Sequence, residues 1–198
     1  QPTFWCNDMD MILWRHAEAE NTTPDEARVL TTKGRRQARA MAKWLREHVK
    51  GRVRVVASNA LRAQQTAQAL VNDFEISPDI AVGASLNDVI KLAGWPSGEG
   101  TIIVVGHQPT LGRVASLLLA GKEADGQIKK GAIWWFRTRG EGFGAEVRRR
   151  ILVAAIAAQQ AAGVAALDLT DQPTGAPLGL RIGVVARGTW RRMNSSAC

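Results

Sequence analysis

Three short apolar runs each stop abruptly at a polar residue and give way to a helical pattern. Met9–Trp14 ends at Arg15-His16, Val53–Ala57 ends at Ser58-Asn59, and Thr101–Val105 ends at Gly106-His107. Short apolar runs bounded by turn residues read as buried strands. The β-branched run at 101–105 suits a central parallel strand covered on both faces. A loop over 17–32, with Pro24 in its middle, follows the first run. Apolar residues then recur at Ala38, Met41, Ala42, Leu45 and Val49, predicting a helix over Lys33–Val49 with Thr31 or Thr32 as its N-cap. Further helices are predicted over Ala60–Leu70, Leu86–Ala93 and Leu111–Ala120, the last closed by Gly121. Ala132–Arg137 reads as another strand. Strands alternating with helices imply a layered α/β fold.

Composition narrows the class. The chain has 198 residues, 45% hydrophobic and 22% charged, which excludes a wholly disordered chain, a fibre and a polytopic membrane protein. Two cysteines, Cys6 and Cys198, stand near opposite ends and build neither a disulfide framework nor a zinc site. A cytoplasmic setting is the expectation, since residues 1–8 have no basic segment followed by an apolar one. The net charge of +8 suggests a nucleic-acid partner until its distribution is considered. Residues 1–147 hold 19 Lys/Arg against 16 Asp/Glu, whereas residues 148–198 hold 7 against 2. Most of the excess therefore belongs to the last quarter.

That contrast predicts three parts: an extension over 1–8, a domain over 9–147, and a basic, Ala- and Gly-rich tail over 148–198. Within the tail, Ile151–Leu167 reads as a loosely docked helix and the remainder as disordered. Its apolar stretch is too short for a transmembrane span and is interrupted by Gln159-Gln160.

The strand ends carry the chemistry. Ligands of open α/β sheets bind beyond the carboxyl ends of the strands. One crevice would thus gather Arg15, His16, Ser58, Arg62 and His107. Two guanidiniums and two imidazoles suit a tetrahedral dianion, because Arg forks bind phosphate oxygens bidentately. His16 is either a ligand or a nucleophile. As nucleophile it must be neutral, which Arg15 and Arg62 would favour by lowering its pKa. Its other ring nitrogen then needs an acceptor, usually a backbone carbonyl.

Leu13-Trp14-Arg15-His16-Ala17-Glu18-Ala19, Ser58-Asn59-Ala60-Leu61-Arg62-Ala63-Gln64-Gln65-Thr66-Ala67 and Val105-Gly106-His107-Gln108-Pro109 together resemble the histidine phosphatase superfamily. This is the phosphoglycerate-mutase-like group, and the likeness is greatest to its small SixA-type phosphohistidine phosphatases. The resemblance covers about residues 9–147. It implies a three-layer α/β/α domain with a mixed, mainly parallel sheet. It also implies His16 as a nucleophile forming a phosphohistidine, with Arg15, Arg62 and His107 binding the phosphoryl oxygens. Ser58 or Asn59 would assist at the pocket edge, and no metal or cofactor is implied. Ala17 departs from the family's usual Arg-His-Gly. Where many members carry a glutamate general acid, Asp88 is the only acid close by, and it is either a proton donor or a helix-start residue.

The weak acid bears on the substrate. A phosphomonoester leaves as an alkoxide and needs strong protonation, whereas an imidazole's conjugate acid has a pKa of about 6.5. The preferred substrate is therefore phosphohistidine on a signalling protein such as a phosphotransfer domain, met by a monomeric enzyme. A phosphatase for small phosphomonoesters is the second enzyme reading. From another class comes a nucleic-acid or membrane-surface binder acting through the tail; no specific nucleic acid and no membrane span are expected of the domain itself. His48 reads as solvated surface. Of Trp134 and Trp135, one should be core and the other on a face, and Trp44 should pack under a loop. The basic helix face of Lys33, Arg35, Arg36, Arg39, Lys43 and Arg46 reads as solvated, or as a landing site for an acidic partner or polyphosphate.

Overall fold

A computed structural model describes residues 9–141, 148–156 and 180–182. Seven strands form one sheet: β1 (Met9–Arg15), β2 (Val53–Ser58), β3 (Glu75–Ser77), β4 (Gly100–Gly106), β5 (Ile133–Glu141), β6 (Arg148–Ile156) and β7 (Leu180–Ile182). Four α-helices accompany them: α1 (Thr32–His48), α2 (Leu61–Gln68), α3 (Leu86–Ala93) and α4 (Thr110–Ala120). The spatial order is β3-β2-β4-β1-β5-β6-β7. β4 is parallel to both β1 and β2, and β3 is parallel to β2. β5 runs antiparallel to β1 and β6. The sheet is thus mixed and mainly parallel.

Alternation along the strands explains why their sequences look uniformly apolar. Met11, Leu13, Val56, Ile102 and Val104 face one way, against Val89 of α3 and Leu111 and Val114 of α4. Ile12, Trp14, Val55, Ala57, Ile103 and Val105 face the other, against Met41, Ala42 and Leu45 of α1 and Ala63 and Ala67 of α2. Successive side chains of a strand point to opposite faces, so burial on both sides demands an unbroken apolar run. The result is three layers, α3/α4 over the sheet over α1/α2. Among the described residues no helix is long and apolar enough to cross a membrane.

Local chemistry sets the helix ends. Thr31 caps α1, its hydroxyl accepting from Gly34 N at 2.8 Å. α3 opens with a reciprocal box between Ser85 and Asp88 and closes on Gly94 at φ 69°. Gly121, at φ 68°, closes α4 as its sequence position predicts.

The aromatic residues differ in part from expectation. Trp134 and Trp135 do point to opposite faces, but both are packed: Trp135 joins the α1 side, while Trp134 stacks on Phe136. Trp44 meets Trp135 edge-on and stacks on His48. His48 is therefore half-buried rather than solvated, with Nδ1 2.8 Å from Trp44 O.

The helix expected from Ile151 is corrected over its first part. Residues 151–156 are strand, in a register with β5 that runs from Glu141↔Arg148 to Ile133↔Ile156. β-branched Ile151 and Val153 favour this conformation, and β5 would otherwise present an unpaired edge. β7 likewise falls where disorder was expected. The rest of the expected helix, residues 157–167, lies outside the described residues, as do residues 1–8 and both cysteines. The boundary expected after Val147 falls between two paired strands.

Candidate active site

β1 and β4 are adjacent interior strands, and their parallel register pairs Arg15 with Gly106. His16 and His107 are the next residues on each, so the two rings emerge side by side. Their centroids are 5.2 Å apart and inclined at 53°. His16 N donates to Gly106 O at 3.1 Å, which ties the two strand ends together. β2 ends level with them at Ser58, and Arg62 lies in the first turn of α2. The site therefore assembles beyond the carboxyl edge of the parallel strands, the usual crevice of such sheets.

Burial is deep for such polar groups. His16 is 8% exposed, His107 4%, Arg62 3% and Ser58 fully buried. His16 Nδ1 lies 2.7 Å from Ala17 O. A carbonyl only accepts, so the Nδ1 proton is fixed and Nε2 carries the lone pair. Arg62 Nε donates to that lone pair at 3.3 Å. Burial is the main cause that lowers the His16 pKa to about 4; the Ala17 carbonyl opposes it, and Arg62, Arg15 and Arg28 lower it further. The expected neutral imidazole is present, although desolvation outweighs the guanidiniums in producing it.

His107 is also neutral, lowered to about 3 by burial first and then by His16 and Arg62. Its Nε2 lies 2.8 Å from Ser58 Oγ, while its Nδ1 is buried with no hydrogen-bond partner. Arg15 Nη1 donates to Ile128 O at 2.7 Å, leaving Arg15 Nε as a second buried donor without a partner. Burial lowers the Arg15 pKa from its ordinary value. A protein rarely leaves such groups unsatisfied without a functional reason.

Sequence reasoning missed Asp25. It sits in a 3-10 turn, Asp25–Ala27, of the loop after β1. Its carbonyl accepts from Arg62 Nη1 at 2.5 Å and its carboxylate from Arg62 Nη2 at 2.8 Å. Arg28 Nη1 reaches the other carboxylate oxygen at 2.9 Å. The Arg28 and Arg62 bonds hold the Asp25 carboxyl below its usual pKa. The available signal was a rule rather than a motif: a buried guanidinium needs a counter-charge, and the acidic loop beside the Arg-His pair is the nearest source.

Asp88 caps the start of α3. Its carboxylate accepts from Ser85 N and Ser85 Oγ, at 3.2 and 2.7 Å, in the box that starts α3. It is exposed and makes no hydrogen bond to the histidine pair. Among the described residues, no three His, Cys, Asp or Glu side chains gather into a metal-holding group.

Comparison with known proteins agrees with this architecture. A solved structure of the protein histidine phosphatase SixA complexed with tungstate superposes with a TM-score of 0.57 at 27% identity, covering 65% of this chain and 87% of its own. The sequence profile of the histidine phosphatase superfamily (branch 1) matches residues 11–88. A phosphohistidine phosphatase SixA homolog of Haemophilus influenzae is 31% identical over 126 residues, 56% of this chain and 77% of the relative. Phosphohistidine phosphatase SixA of Escherichia coli is 28% identical over 123 residues, 58% of this chain and 76% of the relative. The fold and these likenesses define a three-layer α/β phosphatase. The chain belongs to the histidine phosphatase superfamily.

Proposed function

We propose that this phosphatase removes the phosphoryl group from phosphohistidine on a protein, through a covalent intermediate on His16. One observation carries the reading: a buried, neutral imidazole whose Nδ1 is tied to Ala17 O, so that Nε2 is the nucleophilic atom. Nε2 forms a bond to phosphorus as the substrate's N–P bond breaks. The departing imidazole keeps the bonding pair, and a proton is taken up on its other nitrogen. Water then adds to phosphorus, the His16 lone pair is restored, and inorganic phosphate leaves with a proton released to solvent.

Arg15, Arg62 and His107 surround the charge that builds on the phosphoryl oxygens. The unpartnered Arg15 Nε is a ready donor for one of them. So is His107 Nδ1 in the tautomer where Ser58 donates to Nε2. Asp25 is a positioning residue that holds the Arg62 fork beside Nε2. The solved SixA relative, which holds the oxyanion tungstate, supports a phosphate-shaped site here.

The engagement of Asp25 and Asp88 by other groups supports an N–P substrate. Asp25 is held ionised between two guanidiniums, and Asp88 is committed to the start of α3. A good leaving group needs less protonation. Single-turnover hydrolysis of a phosphohistidine protein and of an aryl phosphate, by wild type and His16→Ala, tests the proposal. We expect faster loss from phosphohistidine and a fall of at least about 10³-fold in the variant, the usual scale for removing a nucleophile. A preference for the aryl ester would favour the small-phosphomonoester reading, and full activity in folded His16→Ala would exclude His16 as nucleophile.

A further inference from the structure

α1 is strongly basic, yet its cations are not alike. Lys33 is paired with Glu18, and Arg46 donates to Ala69 O and Leu70 O. Arg35 and Arg39 are exposed and make no side-chain hydrogen bond or ion pair with any described residue. Four residues apart, they share one face of the helix. Together with Gln65 and Gln68 they line an open groove of about 340 Å³, whose apolar lining is half-buried Ala69 with the buried Leu30 and Ala38.

The groove adjoins the site through two covalent routes. Gln68 and Ala69 follow Arg62 on the same helix or at its end, within about 10 Å at 1.5 Å per residue. Leu30 belongs to the loop whose Asp25 holds Arg62, and its N donates to Gln65 Oε1 at 2.7 Å. A protein substrate with its phosphohistidine over His16 therefore reaches the groove with only a few further residues.

Resting on the phosphohistidine-protein reading, we propose that this groove docks an acidic segment of the protein substrate, with one apolar side chain seated against Ala69. Two unpaired guanidiniums select negative charge, and the apolar lining selects a peptide over a sugar-phosphate backbone. The chain's own end is a poor occupant, since residues 157–198 hold four arginines and two aspartates. Charge at the rim of an interface acts mainly on association rate and salt dependence.

The test uses two synthetic phosphohistidine peptides of equal length, one flanked by Asp/Glu around a leucine and the other with serines in place of the acids. We expect wild type to show a kcat/KM about tenfold higher for the acidic peptide at low salt, fading as salt screens the rim. R35E/R39E should erase that preference and leave the neutral peptide's rate unchanged. Equal wild-type rates, or a preference that survives charge reversal, would overturn the docking surface. Absence of His16-dependent turnover of either peptide would instead count against the phosphohistidine reading. Fluorescence anisotropy of the unphosphorylated acidic peptide separates the two, because binding to wild type and not to R35E/R39E supports the groove regardless of turnover. No binding, or a groove closed by self-association in sedimentation, would overturn it.

Discussion

A neutral imidazole in a deep crevice ties the proposed chemistry of His16 to the stability of the fold. Its pKa is about 4 in the folded chain against 6.5 for an unperturbed ring. As pH falls below 6.5 the unfolded chain takes up the proton first, so the unfolded state binds more protons and stability drops. The contribution is complete above about pH 6.5 and is lost down to the folded value, reaching ~3 kcal/mol at pH 4 for this one ring. His107, at about 3, acts in the same direction. Urea unfolding at pH 7 and 4.5 should show a smaller pH effect in His16→Asn than in wild type; identical slopes would show that the ring titrates normally. The clustering of Arg15, His16, Ser58, Arg62 and His107 was legible in the sequence because each ends a strand or starts the next helix. Asp25 was not, because its role is a tertiary bond across the loop to Arg62.

At the scale of elements, the seating of α1 depends on Gly34. A Cβ built there would lie 1.8 Å from Glu18 O, a backbone atom in the loop that follows His16. Alanine raises helix propensity by up to about 1 kcal/mol, but a clash with backbone costs ~1–3 kcal/mol or more. Gly34→Ala should therefore destabilise in chemical denaturation and reduce turnover by shifting the segment after His16; a stabilised variant would show that the loop yields freely. Helices α1 and α4 were readable because capping residues and local pattern agreed. β3 escaped notice at three residues long. β6 escaped because Ile151–Ile156 lies in an Ala-rich stretch without polar alternation, and only the partner strand β5 decides its conformation.

For the whole molecule, the proposed phosphatase domain over 9–147 contains Arg15, His16, Asp25, Ser58, Arg62 and His107, yet β6 covers the far edge of β5. A chain ending at Val147 should keep His16-dependent turnover while losing thermal stability and gaining a tendency to associate through the bared β5 edge. Restoring residues through Ile156 should recover part of both, as melting curves and sedimentation would show; an unchanged melting point would place β6 outside the cooperative unit. The sheet order has a consequence for how the enzyme is made. β1 and β2 are not neighbours, and β4 lies between them. A growing chain that has already released His16, Ser58 and Arg62 from the ribosome thus holds them with no shared scaffold until residues 100–106 emerge and slot between the two earlier strands. On the proposed mechanism, synthesis yields no active site before that insertion, which brings in His107 together with the alignment of the other three residues.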